Sequence, residues 1–316
     1  MDPVLQQLLG RHHVFLRREA LDAGVSDHTL RSWLRSGAVR RVRHGAYTTP
    51  GQWHRLDADG RHLLRARCVA RSACVQVALS HVTAALHHGA PAWGMPLDDV
   101  HLTRFDGVSG RREAGVCQHR PMTPAGDIVM LDDLLVTNPA RTCLDITTVA
   151  GVEASLTVVD WFLHHGLTSK QELLDGCPGL ARRPGSLATE LTVRIADGRS
   201  ESVGETRLRY LCWASHLPHP IPQHEIRRDG RVLYRLDLAW PELGVWLEFD
   251  GKEKYLHHRR PGESVVDAVL RDKRREERIA RLTGWRCLRV TWADLHDPER
   301  LLSRIAAVLA GGPVHV

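Results

Sequence analysis

Apolar and polar residues alternate in the segment RLDLAWPELGVWLEFDGK, residues 235–252, and a turn sequence interrupts the alternation. Residues 232–240 and 244–249 are rich in Val, Leu, Trp and Tyr, which is typical of β-strands. Pro241 and the glycine that begins the second segment separate them. The pattern therefore predicts an antiparallel hairpin with Glu242 and Leu243 at the centre of its turn.

The predicted turn fixes which residues oppose each other across the hairpin. Leu238 then faces Leu247, so Asp237 falls opposite Glu248 with the two Cβ atoms about 5 Å apart. Asp250 lies two residues beyond Glu248 and, by the period of a strand, points the same way. We therefore expect three carboxylates on one face of the hairpin and four apolar residues on the other: Leu236, Leu238, Leu247 and Phe249.

Carboxylates held this close repel each other, so they need a cation, protonation or wide exposure to water. A hard divalent ion such as Mg²⁺ is bound through carboxylate oxygens and keeps several waters, one of which it can activate for attack on phosphorus. The alternative is an edge hairpin whose polar face is simply solvated.

Further helices and strands are predicted on both sides of the hairpin. The segment SESVGETRLRYLCWASHLP has apolar residues at helical spacing, which predicts an amphipathic helix that carries Glu205. Residues 226–228 and 232 onward are joined by an Asp-Gly turn signal. The charged segment 271–282 predicts a helix, and GWRCLRVTW a last strand. The predicted order is helix, strand, strand, strand, helix, strand.

From about residue 200 to 295 the chain resembles the PD-(D/E)XK nuclease superfamily, and more closely its very-short-patch-repair endonuclease branch. The resemblance rests on SVGETRLR, the spacing of Asp237 and Glu248, EFDGK, and GWRCLRVTWADL. It implies that Glu205, Asp237 and Glu248 bind Mg²⁺ or Mn²⁺ and that a lysine steadies the attacking hydroxide. Gln223 of the first hairpin is expected beside this site or in a structural role.

The lysine is where the chain departs from the family pattern. Asp250 stands two residues after Glu248 in its place, and no proline precedes Asp237. Asp250 is then a candidate third hairpin ligand, and Lys252 or Lys254 is expected to reach back through its flexible stem. Basic residues of the following helix are candidates for holding a nucleic-acid strand: Arg271, Lys273 and Arg274.

The first 50 residues predict a helix-turn-helix. A short helix from Arg17 to Ala23 is stopped by Gly24, and Ser26 caps a second helix. Leu30 and Leu34 occupy the inner face of that helix at i and i+4. Its outer residues are expected to face a DNA groove: His28, Thr29, Arg31, Ser32 and Arg35.

An arginine-rich hairpin is predicted after the second helix, with Arg40, Arg41, Arg43 and His44 forming a wing. Residues 1–50 hold eight arginines against four acids, which favours contact with phosphates, although a solvated face is the alternative. The segment VFLRREALDAGVSDHTLRSWLRSGAVRRVRHGAYTTP resembles the N-terminal winged-helix domain of the type IV, abortive-infection antitoxin family. The resemblance implies DNA binding, commonly in autoregulation, and a cognate toxin protein as a candidate partner.

The middle of the chain alternates helical and strand patterns without an evident catalytic set. Helices are predicted at 56–72, 80–88, from Pro139, at 152–165 and at 168–174, and strands at 99–103 and 128–131. Asp132 and Asp133 are expected in a loop, with a metal pair as the alternative. Arg141 is expected in a salt bridge at a helix start. The adjacent histidine pairs at 87/88, 164/165 and 257/258 diverge and do not predict a chelate.

Length and composition allow two or three domains with well-buried cores, since the chain has 316 residues of which 43% are hydrophobic. A net charge of +6 is a modest basic excess that favours nucleic acid. Seven scattered cysteines without a C-x-x-C pair indicate a reducing cytoplasm and argue against structural zinc. The sequence has neither a signal segment nor an apolar run of 18 residues, so neither export nor a membrane span is expected.

We therefore expect a multidomain α+β or α/β protein. It would have a winged helix-turn-helix at residues 1–52, a mixed middle domain at 53–185, and a restriction-endonuclease-like αβββαβ core within 186–316. The main hypothesis is a DNA-binding, metal-dependent endonuclease. The alternatives are a non-catalytic DNA-binding regulator with a degenerate nuclease fold, and an antitoxin that binds or represses a partner toxin.

Overall fold

The structure, a computed structural model, describes residues 2–108, 110–120, 125–180, 186–250 and 264–311. Unit 1 comprises residues 1–158 and 167–195, and unit 2 comprises residues 159–166 and 196–316. The chain thus enters unit 2 briefly, returns to unit 1, and then completes unit 2. The division into three domains, with boundaries at 52 and 185, stays a prediction.

The N-terminal part of unit 1 is a winged helix, as predicted. Its helices are α1 (Pro3–Leu9), α2 (Arg17–Asp22) and α3 (Asp27–Arg35), and its strands are β1 (Phe15–Leu16), β2 (Arg40–Arg43) and β3 (Ala46–Thr48). The strands form an antiparallel sheet in the order β1-β3-β2. Gly24 has a φ of 82°, which ends α2 and turns the chain toward α3. The core that holds the helices to the sheet includes Leu5, Phe15, Leu30 and Tyr47.

The rest of unit 1 surrounds a six-stranded sheet. Its elements are α4 (Pro50–Arg55), α5 (Ala58–Ser72), β4 (Val77–Leu79), α6 (His81–His87), β5 (Val100–Arg104), β6 (Arg111–Glu113), β7 (Val116–His119), β8 (Ile128–Leu131), β9 (Leu134–Thr137), α7 (Pro139–Ile146), α8 (Val152–His164), α9 (Lys170–Gly176) and α10 (Ser186–Ile195). The strand order is β6-β7-β5-β4-β9-β8, and β5/β7 and β4/β9 are parallel pairs. Helix α8 begins in unit 1 and ends in unit 2.

The sequence predictions for this region are largely confirmed at the level of elements. The predicted helices correspond to α5, α6, α7, α8 and α9, and the predicted strands to β5 and β8. Asp132 and Asp133 form the tight turn between β8 and β9, with φ of 47° and 62°, which confirms a loop. Arg141 Nη2 lies 2.7 Å from Asp145 Oδ1, which confirms the salt bridge. The strands that were not predicted contain only three or four residues each.

Unit 2 contains a four-stranded sheet with helices on both faces. Its elements are α11 (Val203–Ala214), β10 (Ile221–Arg228), β11 (Arg231–Trp240), β12 (Val245–Asp250), α12 (Val265–Thr283), β13 (Arg286–Thr291) and α13 (Pro298–Leu309). The strand order is β10-β11-β12-β13, antiparallel except for the parallel pair β12/β13. From α11 to β13 this is the predicted order of helices and strands.

Each face of this sheet has its own apolar core. On one face Leu247 and Leu288 pack with Leu208 of α11 and Ile305 of α13. On the other face Trp246 packs with Ile279 of α12. Burial of both faces explains why β12 is almost continuously apolar.

All seven cysteines are free thiols. Within the residues that the structure describes, no helix is both long and apolar enough to cross a bilayer.

Candidate nucleic-acid interface and carboxylate cluster

Helix α3 presents a polar and cationic face, because its cap and its buried residues fix its orientation. Ser26 Oγ accepts a hydrogen bond from the Thr29 backbone N–H at 3.1 Å, so the helix begins where the sequence predicted. Leu30 is 3% exposed and faces the core. Among the residues on the outer side, Thr29 is half-buried. The others are exposed: His28, Arg31, Ser32 and Arg35.

The negative charge at the start of α3 is neutralised within the same domain. Arg17 Nε donates to Asp27 Oδ1 at 2.8 Å, and both side chains stay about half exposed. This hydrogen bond and the arginine charge hold the pKa of the Asp27 carboxyl below its ordinary value. Since Asp27 is the acid of α3, its pairing leaves the outer face of the helix net positive.

The three arginines predicted for the wing have different environments. Arg41 is exposed, whereas Arg43 is half-buried. The Arg40 guanidinium lies 4.4 Å from the ring centroid of Trp53 in α4, a cation–π contact that turns it back onto the domain. Arg41 is therefore the wing arginine best placed to reach a phosphate.

Glu205, the helix acid of the predicted metal site, is a buried capping residue at the start of α11. It is 5% exposed. Ser202 Oγ donates to its Oε1 at 2.8 Å, and Gln223 Nε2 donates to its Oε2 at 2.8 Å, as does the Glu201 backbone N–H at 3.1 Å. Burial raises the pKa of Glu205, and the nearby charge of Asp237 raises it further. The structure thus brings Glu205 and Asp237 together, with Gln223 beside them.

The predicted pairing of the hairpin is observed as far as Leu238, which lies opposite Leu247. Asp237 then departs from a plain strand arrangement, because its Oδ2 accepts a hydrogen bond from the Phe249 backbone N–H at 2.8 Å. The expectation that Leu236 shares the face of Leu238 is wrong: it packs in the core that contains Trp246. At the same point of the sheet, Gln223, which precedes the partner of Leu236 in β10, has a left-handed φ of 50°.

The other two acids of the hairpin form ion pairs with arginines. Arg275 Nη1 of α12 donates to Glu248 Oε1 at 2.8 Å, and Arg289 of β13 lies 3.6 Å from Asp250. Arg289 also binds Glu276 at 2.9 Å. Arg275 and Arg289 thus compensate the negative charges of Glu248 and Asp250. The sequence missed Arg275 because it lies 27 residues from Glu248, on an element whose placement depends on the fold.

Candidate metal ligands among the described residues gather in unit 1. Over the ranges that the structure describes, one group of three or more candidate ligands has its donor atoms within 4.8 Å of one another, and it consists of histidines of unit 1. The Mg²⁺ site predicted for Glu205, Asp237, Glu248 and Asp250 stays a prediction. Lys252 and Lys254 lie outside the described residues. Of the strand-holding candidates on α12, Lys273 and Arg274 are exposed and Arg271 lies 3.7 Å from Asp272.

A second buried acid of unit 2 was not singled out from the sequence. Asp160 of α8 is 1% exposed. Its Oδ2 accepts hydrogen bonds from Arg209 Nη2 at 2.5 Å and from the Thr206 hydroxyl at 2.8 Å, and its Oδ1 accepts one from the Asp197 backbone N–H at 2.8 Å. The available signal was an acid within the apolar run LTVVDWFL. Its full set of partners indicates a structural role.

Comparisons with known proteins find a family match for the N-terminal segment. Residues 3–50 match the model of a family described as "Transcriptional regulator, AbiEi antitoxin", and this match covers the whole winged helix. Two Mycobacterium tuberculosis proteins, the uncharacterized proteins MT2308 of strain CDC 1551 / Oshkosh and Rv2248 of strain ATCC 25618 / H37Rv, are each 28% identical over 229 residues. Each alignment covers 72% of this chain and 80% of the relative.

One solved structure is also similar at a distance. The crystal structure of the RV2827C protein from Mycobacterium tuberculosis gives a TM-score of 0.40 at 15% identity, over 72% of this chain and 87% of that one. A likeness this distant assigns neither a fold nor a function. The N-terminal winged helix is thus the part of the chain that matches a family of transcriptional regulators and antitoxins.

Proposed function

We propose that the protein is a DNA-binding transcriptional regulator that contacts DNA through α3 and the wing formed by β2 and β3. The observation that carries the proposal is the exposed cationic face of α3 in a segment that matches a regulator and antitoxin family. Pairing of Asp27 with Arg17 supports it, because it removes the repulsion that an acid would exert on phosphates.

The geometry suggests separate roles for the exposed residues. Arg31 and Arg35 are four residues apart, so they lie on the same side of α3, where a helix in the major groove meets bases and phosphates. Ser32 and the half-buried Thr29 offer hydroxyls for base edges or phosphate oxygens. Arg41 on the wing is suited to a flanking phosphate, which positions the domain without specifying sequence.

The test is a DNA selection followed by quantitative binding. The full chain is used to enrich a random double-stranded library, and the enriched DNA is titrated by fluorescence anisotropy at several salt concentrations. We expect the double variant Arg31→Ala/Arg35→Ala to bind at least roughly tenfold more weakly, and the log–log salt slope to fall by about two if both arginines meet phosphates.

Arg194→Ala is the matched control, since Arg194 is an exposed arginine of α10 in unit 1, away from the winged helix in sequence. It should leave affinity and salt slope unchanged. Enrichment of no sequence by the wild-type chain, or equal binding by the double variant, would contradict the proposed interface.

An antitoxin role is a second candidate, and it is favoured by the description of the matching family. The partner would be a toxin protein encoded beside this chain. Co-expression of such a toxin with the full chain should restore growth that the toxin alone arrests. Growth that stays arrested at matched expression levels would rule this role out for that toxin.

Endonuclease activity is a third candidate for unit 2. The order from α11 to β13 and the closeness of Glu205 to Asp237 support it, whereas the ion pair of Glu248 with Arg275 and the lack of a ready ligand group among the described acids weigh against it. Plasmid DNA is incubated with the full chain in Mg²⁺ or Mn²⁺. Cleavage by the wild type that disappears in Asp237→Ala supports this activity. No cleavage, or cleavage that persists in the variant, excludes it as proposed.

A further inference from the structure

Three histidines from three elements meet in the six-stranded part of unit 1. They are His81, the first residue of α6, His101 of β5, and His119, the last residue of β7. One ring nitrogen of each lies within 4.8 Å of the other two. We propose that this triad, His81, His101 and His119, is a binding site for a divalent transition-metal ion of the zinc class.

The sheet itself places two of the three rings together. Strands β5 and β7 pair in parallel, with His119 opposite Thr103 and Cys117 opposite His101. His101 and Thr103 are two residues apart and share a face of the sheet, so His119 is a diagonal neighbour of His101 on that face. His101 Nδ1 lies 3.0 Å from His119 Nε2. One of these nitrogens must accept the hydrogen bond, so at least one of the two rings is neutral.

His81 joins them through an unusual backbone conformation. Its φ is 53°, a left-handed value that costs free energy in a residue with a Cβ atom. The residue is 1% exposed, and its ring stacks on that of His119 with centroids 3.7 Å apart. Strain that brings a buried polar ring against two others is expected where the ring has a task beyond packing.

The supports around the rings resemble those that orient metal ligands. His81 Nδ1 lies 2.9 Å from the buried Ser80 hydroxyl, an arrangement that fixes the orientation of the ring through one nitrogen. The Ser80 backbone N–H donates to the His101 carbonyl at 3.1 Å, and the His101 backbone N–H donates to the Thr83 hydroxyl at 2.9 Å. These bonds tie the start of α6 to β5, so two of the ligands sit on one rigid frame.

The chemistry of the donors selects the ion. Neutral imidazole suits zinc, copper, nickel and cobalt, whereas Mg²⁺ and Ca²⁺ prefer oxygen. Tetrahedral zinc with Zn–N bonds near 2.0–2.1 Å needs nitrogens about 3.3 Å apart, which the rings reach by turning toward a common point. Metal binding would break the hydrogen bond between His101 and His119 and the stacking of the His81 and His119 rings. Coordinate bonds from the three rings would take their place, and a water molecule would fill the fourth position.

The first test is cobalt spectroscopy on the full chain, purified without a histidine tag and stripped of metal with EDTA. Co²⁺ is added stepwise, and we expect one equivalent to give the visible d–d absorption of a four-coordinate ion, without the near-ultraviolet charge-transfer band of thiolate ligands. Zn²⁺ should then bleach the spectrum. No four-coordinate spectrum in the wild type, or a strong thiolate band, overturns the proposal.

The second test uses two triad variants and one control. His101→Ala and His119→Gln should lose this equivalent of Co²⁺, and Zn²⁺ should no longer raise their melting temperature as it does for the wild type. His54→Ala, which removes an exposed histidine of α4, should retain both effects. Melting curves in EDTA show whether each variant is folded. If a folded triad variant still binds one full equivalent of Co²⁺, the metal site lies elsewhere and the proposal is wrong.

Discussion

The outer face of α3 and the acids of unit 2 are both rich in charge, yet their side chains have opposite surroundings. Arg31 and Arg35 are exposed on a regular helix. Glu205, by contrast, is buried under three hydrogen-bond donors, and Glu248 is paired with Arg275. A charge that reaches into water can exchange solvent for a phosphate at low cost, whereas a charge already satisfied by its own fold must first give up those partners.

The difference suggests which charges are interaction sites and which are structural. Side chains of the winged helix should affect DNA binding with little effect on folding. The buried acids of unit 2 should affect folding with little effect on DNA binding. Substitutions in the two regions can therefore break or sharpen the comparison.

Asp160→Ala should give the largest loss of stability. It leaves the guanidinium of Arg209 buried without its carboxylate, and loss of one partner of a buried ion pair costs about 3–5 kcal/mol. Urea unfolding of the full chain measures the change, and DNA affinity below the transition should stay at the wild-type value. Glu190→Ala, which breaks a pair exposed to solvent, should change stability by less than about 1 kcal/mol. Similar losses in the two variants would show that Asp160 is not structural.

Gly204→Ala should give the next largest loss of stability. A Cβ at this position would lie 2.1 Å from Cε1 of Phe249, so α11 could not keep its distance from β12. The Phe249 ring is 5% exposed and meets Trp292 edge-on, so it has little room to move. Overpacking of this kind costs about 1–3 kcal/mol. Gly151→Ala, where the added methyl would meet open space, is the control, and an equal effect in both would disprove the close approach of α11 to the sheet.

The features predicted correctly from the sequence are those with local signals. The signals for α2 and α3 are local ones: Gly24 ends α2, Ser26 caps α3, and Leu30 is apolar among polar neighbours. These signals predict where the two helices lie almost to the residue. The hairpin register around Leu238 and Leu247 follows from the short turn that joins the two strands.

The features missed depend on contacts between distant parts of the chain. Leu236 lies on the face opposite to Leu238, at a point where Gln223 on the neighbouring strand has a left-handed φ. The partner of Glu248 lies on a helix that is placed by packing against the sheet. The three histidines of unit 1 come from separate elements with no recognisable spacing, so only the sheet topology brings them together.

Glu205→Gln should change the free energy of unfolding less, and the change should depend on pH. Burial and the Asp237 charge raise the pKa of Glu205 in the folded state above its ordinary value of 4.5. The folded protein therefore holds this proton more tightly than the unfolded chain, and stability is lost as the pH rises from about 4.5 through the raised folded pKa. Glutamine does not ionise and keeps one acceptor oxygen. The unfolding free energy of the variant relative to wild type should therefore increase with pH across this window, and a flat or decreasing difference would contradict the cause assigned to the shift.

The smallest expected effects distinguish two neighbouring arginines of the wing, Arg40 and Arg41, for which the sequence predicts the same role. Arg40→Ala removes the contact with Trp53 and should cost roughly 0.5–1 kcal/mol of stability. Arg41→Ala should leave stability within about 0.5 kcal/mol, since its side chain is exposed, but should lower the log–log salt slope of DNA binding by about one. Thermal unfolding and anisotropy titrations on the two variants separate the effects. If Arg40→Ala changes the salt slope as much as Arg41→Ala does, then Arg40 leaves Trp53 on binding, and the division between structural and DNA-contacting arginines in the wing fails.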